Sequence, residues 1–217
     1  MTYRERPLPG FACAWSRSTD VREVALVVPD GRTDLIYATA TGEVLVAGPD
    51  TVGHRTEMAP GTLHAVRFEP GVGPAALGVP AHVLLDQRVP LSELWGDTAR
   101  LQDDLARADD PARVLAEAAR ARLRESPPDP VITALVRGRR ASVGLSDRQV
   151  LRRSLDAFGY GPKVLHRVLR FDRAVALAWR GVPFADIAVR TGYADQAHLA
   201  REVKRLAGVT LGQLIRP

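Results

Sequence analysis

Residues 184 to 205 hold the side chains whose types and spacing point most directly to chemistry. Phe184-Ala185-Asp186-Ile187-Ala188-Val189-Arg190-Thr191 reads as an amphipathic helix that stops at Gly192, a residue suited to a left-handed turn position. Ala194-Asp195 then opens a second helix with a carboxylate cap. Ile187, Leu199 and Val203 supply apolar contacts between the two helices, and Ala188 is small where crossing backbones must approach closely. The second helix turns outward Gln196, His198, Arg201, Glu202, Lys204 and Arg205, with Ala197 and Ala200 leaving room for close approach. Amide and guanidinium donors on one helical face suit adenine and guanine edges, and the neighbouring cations suit phosphates.

Other reactive residue types do not gather in the same way. His54, His64 and His82 are scattered, with no His-x-His pair and no His-Glu-x-x-His helix, so no metal is expected. Cys13 is the single cysteine, which forbids an intrachain disulfide; beside Phe11 and Trp15 it reads as a core residue rather than a nucleophile. No phosphate-binding GxxxxGK[ST] is present, and Gly71-Val72-Gly73 lacks the context of a dinucleotide site. No cofactor is expected, and an enzyme is the weaker class.

The charge distribution sharpens the choice. The 217 residues carry 30 Lys and Arg against 25 Asp and Glu, a net +5, and the basic set is 28 arginines with only Lys163 and Lys204. Division at Ser126-Pro127-Pro128-Asp129-Pro130 leaves 14 basic and 18 acidic residues before residue 127, and 16 basic and 7 acidic after it. The parts are therefore −4 and +9. A segment of about 90 residues with that excess repels itself unless a polyanion or counterions share its surface, which favours nucleic acid as partner. No run approaches the length of a membrane span, and the start lacks the apolar core of a signal peptide, so a cytoplasmic protein without membrane association is expected.

These side chains need a scaffold, and the pattern before and after Pro90 differs. Val24–Val28, Asp34–Thr39 and Glu43–Ala47 are short β-rich runs between turn residues and read as a meander; Thr62–Phe68 adds a further strand, giving four to seven in all. Leu91 to Ala108 and Pro111 to Arg124 read as helices, with Pro111 in a first turn. Val114, Leu115, Ala118, Ala119 and Leu123 form a stripe that can pack on the sheet or on a second subunit. A sheet capped by helices can enclose an apolar effector pocket, for which Trp15, Tyr37, His64, Phe68 and Trp95 are the lining residues; the same aromatics serve equally to fill a core. From residue 131 onward the chain reads as short helices: Val131–Val136, Asp147–Phe158, Pro162–Trp179, Phe184–Arg190, Gln196–Ala207 and Leu211–Ile215.

Gly192-Tyr193-Ala194-Asp195-Gln196-Ala197-His198-Leu199-Ala200-Arg201-Glu202, followed by Leu206-Ala207-Gly208-Val209-Thr210, resembles the C-terminal half of the AraC/XylS family DNA-binding domain. Leu145-Ser146-Asp147-Arg148-Gln149-Val150 through Gly159-Tyr160-Gly161-Pro162-Lys163 is similar to that family's first recognition helix and its exit, with 164–179 as the linker helix. The resemblance implies a sequence-specific transcriptional regulator of α+β class. A β-rich regulatory, effector or dimerisation domain with C-terminal helices, 1–126, precedes an all-α domain with tandem helix-turn-helix units, 127–217. Segments 29–36, 46–51, 78–82 and 89–96 resemble one regulator subgroup in the first domain. Carried over by position, Arg148, Arg152, Gln196, Ala197, His198 and Arg201 face bases, and Lys163, Lys204 and Arg205 reach phosphates. Double-stranded DNA is the implied partner, with a small-molecule effector, a homodimer and RNA polymerase as further candidates.

The chain departs from the family pattern in three places. Residues 131–144 are too few for the two helices that usually precede the first recognition helix, so the first unit is expected to be shortened; the small alanine position falls on Arg140, with Ala141 displaced by one. Ser154 stands where an apolar, usually aromatic, residue holds the recognition helix down, leaving Leu155 to compensate. Leu211 follows Thr210 where proline is common. The alternative reading is a ligand-binding or protein-interaction module whose degenerate first unit has lost operator recognition.

Overall fold

The computed structural model describes residues 2–137 and 144–216. Eight strands occur among them: β1 Thr2–Arg6, β2 Cys13–Thr19, β3 Glu23–Val27, β4 Asp34–Ala38, β5 Glu43–Ala47, β6 His54–Met58, β7 Gly61–Arg67 and β8 Arg88–Pro90. Six form an antiparallel sheet in the order β1-β2-β7-β4-β5-β8, and β3 pairs with β6 in a separate ladder. The expected meander therefore holds only for β4 and β5. Val24 to Val27 leave the main sheet, and β7 comes between β2 and β4.

Register assigns each side chain to a face. Ala14, Val66, Leu35 and Val46 lie in line across the sheet, as do Ser16, His64, Tyr37 and Val44 two residues further along and so on the same face. This face packs on helices α1 Gly73–Leu77 and α4 Pro111–Glu125, where Leu115, Ala116 and Ala119 are fully buried. The apolar stripe of α4 thus packs on its own sheet. Pro111 occupies the first turn of α4, and the Asp110 side chain accepts from the Arg113 N–H. Helices α2 Ser92–Trp95 and α3 Ala99–Arg107 lie before it in the chain, and Leu105 joins the same core.

The C-terminal region is all helical: α5 Val131–Val136, α6 Asp147–Phe158, α7 Pro162–Trp179, α8 Phe184–Thr191, α9 Gln196–Ala207 and α10 Leu211–Leu214. Its bounds follow local signals. Ser146 with Gln149 and Thr210 with Gln213 form capping boxes, Asp195 caps α9, and Gly159, Gly192 and Gly208 end their helices in the left-handed conformation. The threonine cap leaves α10 well started with Leu211 in place of proline. Arg140, Ala141 and the rest of 138–143 lie outside the described residues, and the expected shortening of the first unit falls largely on them.

Two cores hold this region. Phe171, Ala174, Ala178, Ile187, Ala188, Leu199 and Val203 join α7, α8 and α9, while Ile132, Leu135, Val150, Phe158, Leu165 and Val168 join α5, α6 and the start of α7. Loops of the β-rich region reach both. Val28 packs against the first core, the Gly53 N–H donates to the Leu206 carbonyl at the end of α9, and Ala81–Val83 packs on α6. A Cβ at Gly53 would sit 3.0 Å from Ala207 Cα, so glycine there permits the approach of the two backbones.

Candidate nucleic-acid interface

The second helix-turn-helix is built around Gly192, whose φ of 76° reverses the chain after α8. The Tyr193 N–H donates back to the Ala188 carbonyl at 2.9 Å, and Asp195 Oδ1 accepts from the His198 N–H at 2.6 Å. Ile187, Ala188, Leu199 and Val203 are buried between the helices, as the sequence pattern requires. Gln196, Ala197, Ala200, Arg201, Lys204 and Arg205 are exposed on α9.

Two members of the expected polar face are engaged elsewhere. His198 Nδ1 accepts from the Ala194 N–H at 3.3 Å, and its ring meets Tyr193 edge-on at 5.2 Å. Glu202 turns inward: its side chain is 14% exposed and lies 3.6 Å from Arg205 Nη1. The outward chemistry of α9 is accordingly cationic and amide, without a carboxylate at its centre.

In the first unit Arg148 and Arg152 are exposed on α6, with the half-exposed Leu151 between them. Gln149 is spent on the cap, where its Oε1 accepts from the Ser146 N–H and Oγ at 2.9 Å each. Ser154 is fully buried and its Oγ donates to the Tyr160 carbonyl at 2.7 Å. The position expected to be apolar is thus held by a hydrogen bond to the helix exit. The compensating residue is Phe158, fully buried one turn later, rather than Leu155, which is only half-buried. Arg153 pairs with Asp129 ahead of α5, tying α6 to the start of the helical region.

Lys163 is exposed in the first turn of α7, just after Pro162. From there Lys163, His166, Arg167, Arg170 and Arg173 line an open groove of about 440 Å³ along α7. Sequence reasoning singled out only Lys163. The missed signal is the recurrence of cationic or imidazole groups every three or four residues through a helix.

The five residues proposed for an effector pocket are only partly brought together. Tyr37 and His64 are register partners on the helix-facing side of the sheet, and Phe68 is fully buried in the core there. Burial holds the His64 imidazole below its ordinary pKa, against the opposing charge of Asp110. Trp95 lies at the margin, its Nε1 donating to the Ala76 carbonyl at 3.1 Å and Arg122 stacked over its ring. Trp15 sits on the opposite face, where its Nε1 donates to Asp34 Oδ2 at 2.9 Å. Strand alternation separates it from Tyr37 and His64.

That opposite face carries a partly buried charge network. Arg67 grips Asp34 with two hydrogen bonds of 2.9 Å, and its guanidinium lies 3.6 Å from Asp30. Burial pushes the Asp30 carboxyl above its ordinary range, with Arg67 opposing, and raises the Cys13 thiol to about 11. Among the described residues no group of three or more His, Cys, Asp or Glu side chains could hold a metal ion, and no helix is long and apolar enough to cross a membrane.

Two capped helices with exposed arginines, joined through a long helix, define a tandem helix-turn-helix protein. Residues 141–216 match the family model described as a helix-turn-helix domain, and residues 9–90 match one described as a domain of unknown function, DUF6597. The helix-turn-helix match spans the residues whose sequence resembles the AraC/XylS DNA-binding domain. No curated protein matches it. Solved structures similar to it include ToxT from Vibrio cholerae, at a TM-score of 0.49 and 8% identity over 99% of this chain and 98% of that one. Unsaturated fatty acid bound ToxT from strain SCE256 of that organism aligns at 0.42 and 9%, over 99% and 94%.

Proposed function

We propose that the chain is a cytoplasmic regulator that binds duplex DNA at specific sequences, with residues 127–217 as its DNA-binding domain and 1–126 as its regulatory domain. The observation that carries this reading is the pairing of two capped helices, α6 and α9, each presenting exposed arginines from a unit anchored on α7. Arg148 and Arg152 on α6, and Arg201 with Gln196 and Ala197 on α9, read base edges; His198 sets the start of α9 and offers its remaining ring nitrogen. Lys163, Lys204 and Arg205 hold phosphates.

The same geometry supports effector response. Loops of the first region pack on α6, α7 and the end of α9, so a ligand that shifts the sheet or its loops biases the placement of both recognition helices. Tyr37, His64, Phe68 and Trp95 are the residues proposed to meet such a ligand; Trp15, across the sheet, acts on it only indirectly.

Titration of the full chain against selected and mixed-sequence duplexes over a salt series tests the reading. Phosphate contacts require a steep loss of affinity with salt, and base contacts require a surviving preference for the selected duplex. A folded chain that binds no duplex, or that prefers a protein partner to DNA, overturns it in favour of an interaction module.

A further inference from the structure

The groove on α7 belongs to neither recognition helix, yet it is strongly basic. Lys163, His166, Arg167, Arg170 and Arg173 line it, together with Pro162. At 100° per residue these side chains fall within about a third of the helix circumference and extend over about 15 Å of its axis. Asp172, the one carboxylate of α7, projects to the other side and pairs with Arg32. Among the described residues none of the groove's cations is in an ion pair, and the Nε groups of Arg167 and Arg170 are buried without a hydrogen-bond partner.

The position of the groove is as telling as its charge. At its start, Gly161 packs against Leu151, which lies on α6 between Arg148 and Arg152. One turn before its far end the Arg170 guanidinium stacks 4.2 Å over the Tyr193 ring and its Nη1 lies 3.4 Å from the Gly192 carbonyl. Tyr193 in turn supports His198 in the first turn of α9. The basic stripe therefore runs from the exposed face of one recognition helix to the leading end of the other.

We propose that this groove seats the DNA sugar-phosphate backbone between the two segments read by α6 and α9. The proposal rests on the DNA-binding reading above and adds Arg167, Arg170 and Arg173 to its contacts. A strand carries one phosphate per about 3.4 Å of axis, so 15 Å of stripe faces about four of them. Arg170 is the fixed member, held by Tyr193 and the Gly192 carbonyl; Arg167 and Arg173 flank it on the same helix face. The contact reads no bases. It sets the spacing of the two recognition helices on the duplex.

The test uses the full chain with Arg167→Gln, Arg173→Gln, the double variant, and Arg124→Gln on α4 as a charge-matched control distant in sequence from the groove. Each is titrated against a mixed-sequence duplex of roughly 30 base pairs over roughly 50 to 200 mM salt. The slope of log affinity against log salt is expected to become shallower by about 0.9 for each groove arginine removed, about 1.8 for the pair, with no change for Arg124→Gln. At the low-salt end affinity falls for all sequences alike, and thermal melting of the variants matches the parent chain. Ethylation of phosphates between the two contacted segments is expected to weaken the parent and leave the double variant indifferent. An unchanged slope in the double variant, with DNA still bound, overturns the groove alone; so does an equal loss in Arg124→Gln, which reduces the effect to net charge. A parent chain that binds no duplex overturns the DNA reading itself.

Discussion

Arg32 and Asp172 join the two regions of the chain: Arg32 Nη1, in the loop after β3, lies 3.0 Å from Asp172 Oδ2 on α7. Both side chains are three-quarters buried, and Asp30 lies 3.6 Å from the same guanidinium. Burial alone would lower the pKa of Arg32, but Asp172 and Asp30 outweigh it and raise it. The pair is thus favourable as charged, and it fixes the linker helix to the β-rich region on the side away from the basic groove.

Asp172→Asn is expected to destabilise the fold by about 1 to 2 kcal/mol, between the worth of exposed pairs and the cost of breaking buried ones. Urea unfolding of this variant, of Arg32→Gln and of the double variant measures the coupling. Strict additivity of the two single losses would show that the residues do not act as a pair.

Ser154→Ala removes the donor to the Tyr160 carbonyl from a fully buried site. A loss of about 1 to 3 kcal/mol is expected, because the carbonyl is left without that partner and little water can replace it. Thermal or urea unfolding reads the change directly. A neutral result would mean that Phe158 alone holds the end of α6.

Cys13 should react slowly. Its thiol is pushed up to about 11 by burial, with Glu5 adding to the shift and Arg67 opposing it. At pH 8 the thiolate population should lie about a hundredfold below that of an exposed cysteine, and rise through the whole alkaline range. Iodoacetamide labelling of native and urea-unfolded chain over a pH series checks this; equal rates in the two states would contradict it.

Asp30 makes stability depend on acid. Its folded pKa lies above the ordinary carboxylate value, so the folded state binds the proton more tightly than the unfolded state. Its contribution is fully present below the ordinary value and is lost as pH rises through the folded one. Asp30→Asn should flatten the stability profile over that window, as followed by urea unfolding at stepped pH, and an unaltered profile would remove Asp30 as its source.

On the DNA side, Arg201→Ala should cost about 1 to 3 kcal/mol on the preferred duplex and reduce discrimination, whereas Lys204→Ala should weaken all duplexes alike. Competition titrations with selected and mixed-sequence DNA separate the two. An equal loss on both duplexes would make Arg201 a phosphate contact.

Much of the helical region was legible residue by residue. The expected bounds of α5, α6, α7 and α9 match those found, and α8 runs one residue further to Thr191. Capping groups and left-handed glycines act within four residues, so the chain announces them locally. The recognition faces were less legible: His198 and Gln149 have side chains that suit bases, but both close hydrogen bonds onto nearby backbone. The α7 stripe went unread because its cations were not set in helical phase against the Gly192 turn.

By itself the sequence determined the α+β division, the acidic and basic halves, and the helix-turn-helix about Gly192, because charge is additive and helical hydrogen bonds span four residues. The tertiary structure decided what depends on residues far apart in the chain. β3 pairs with β6 instead of β4, Trp15 faces away from Tyr37 and His64, and Ser154 replaces an aromatic anchor with a hydrogen bond. Strand partners and side-chain faces follow from register across a whole sheet. One residue of slip would exchange the core face for the charged one, and only the packed molecule selects between them.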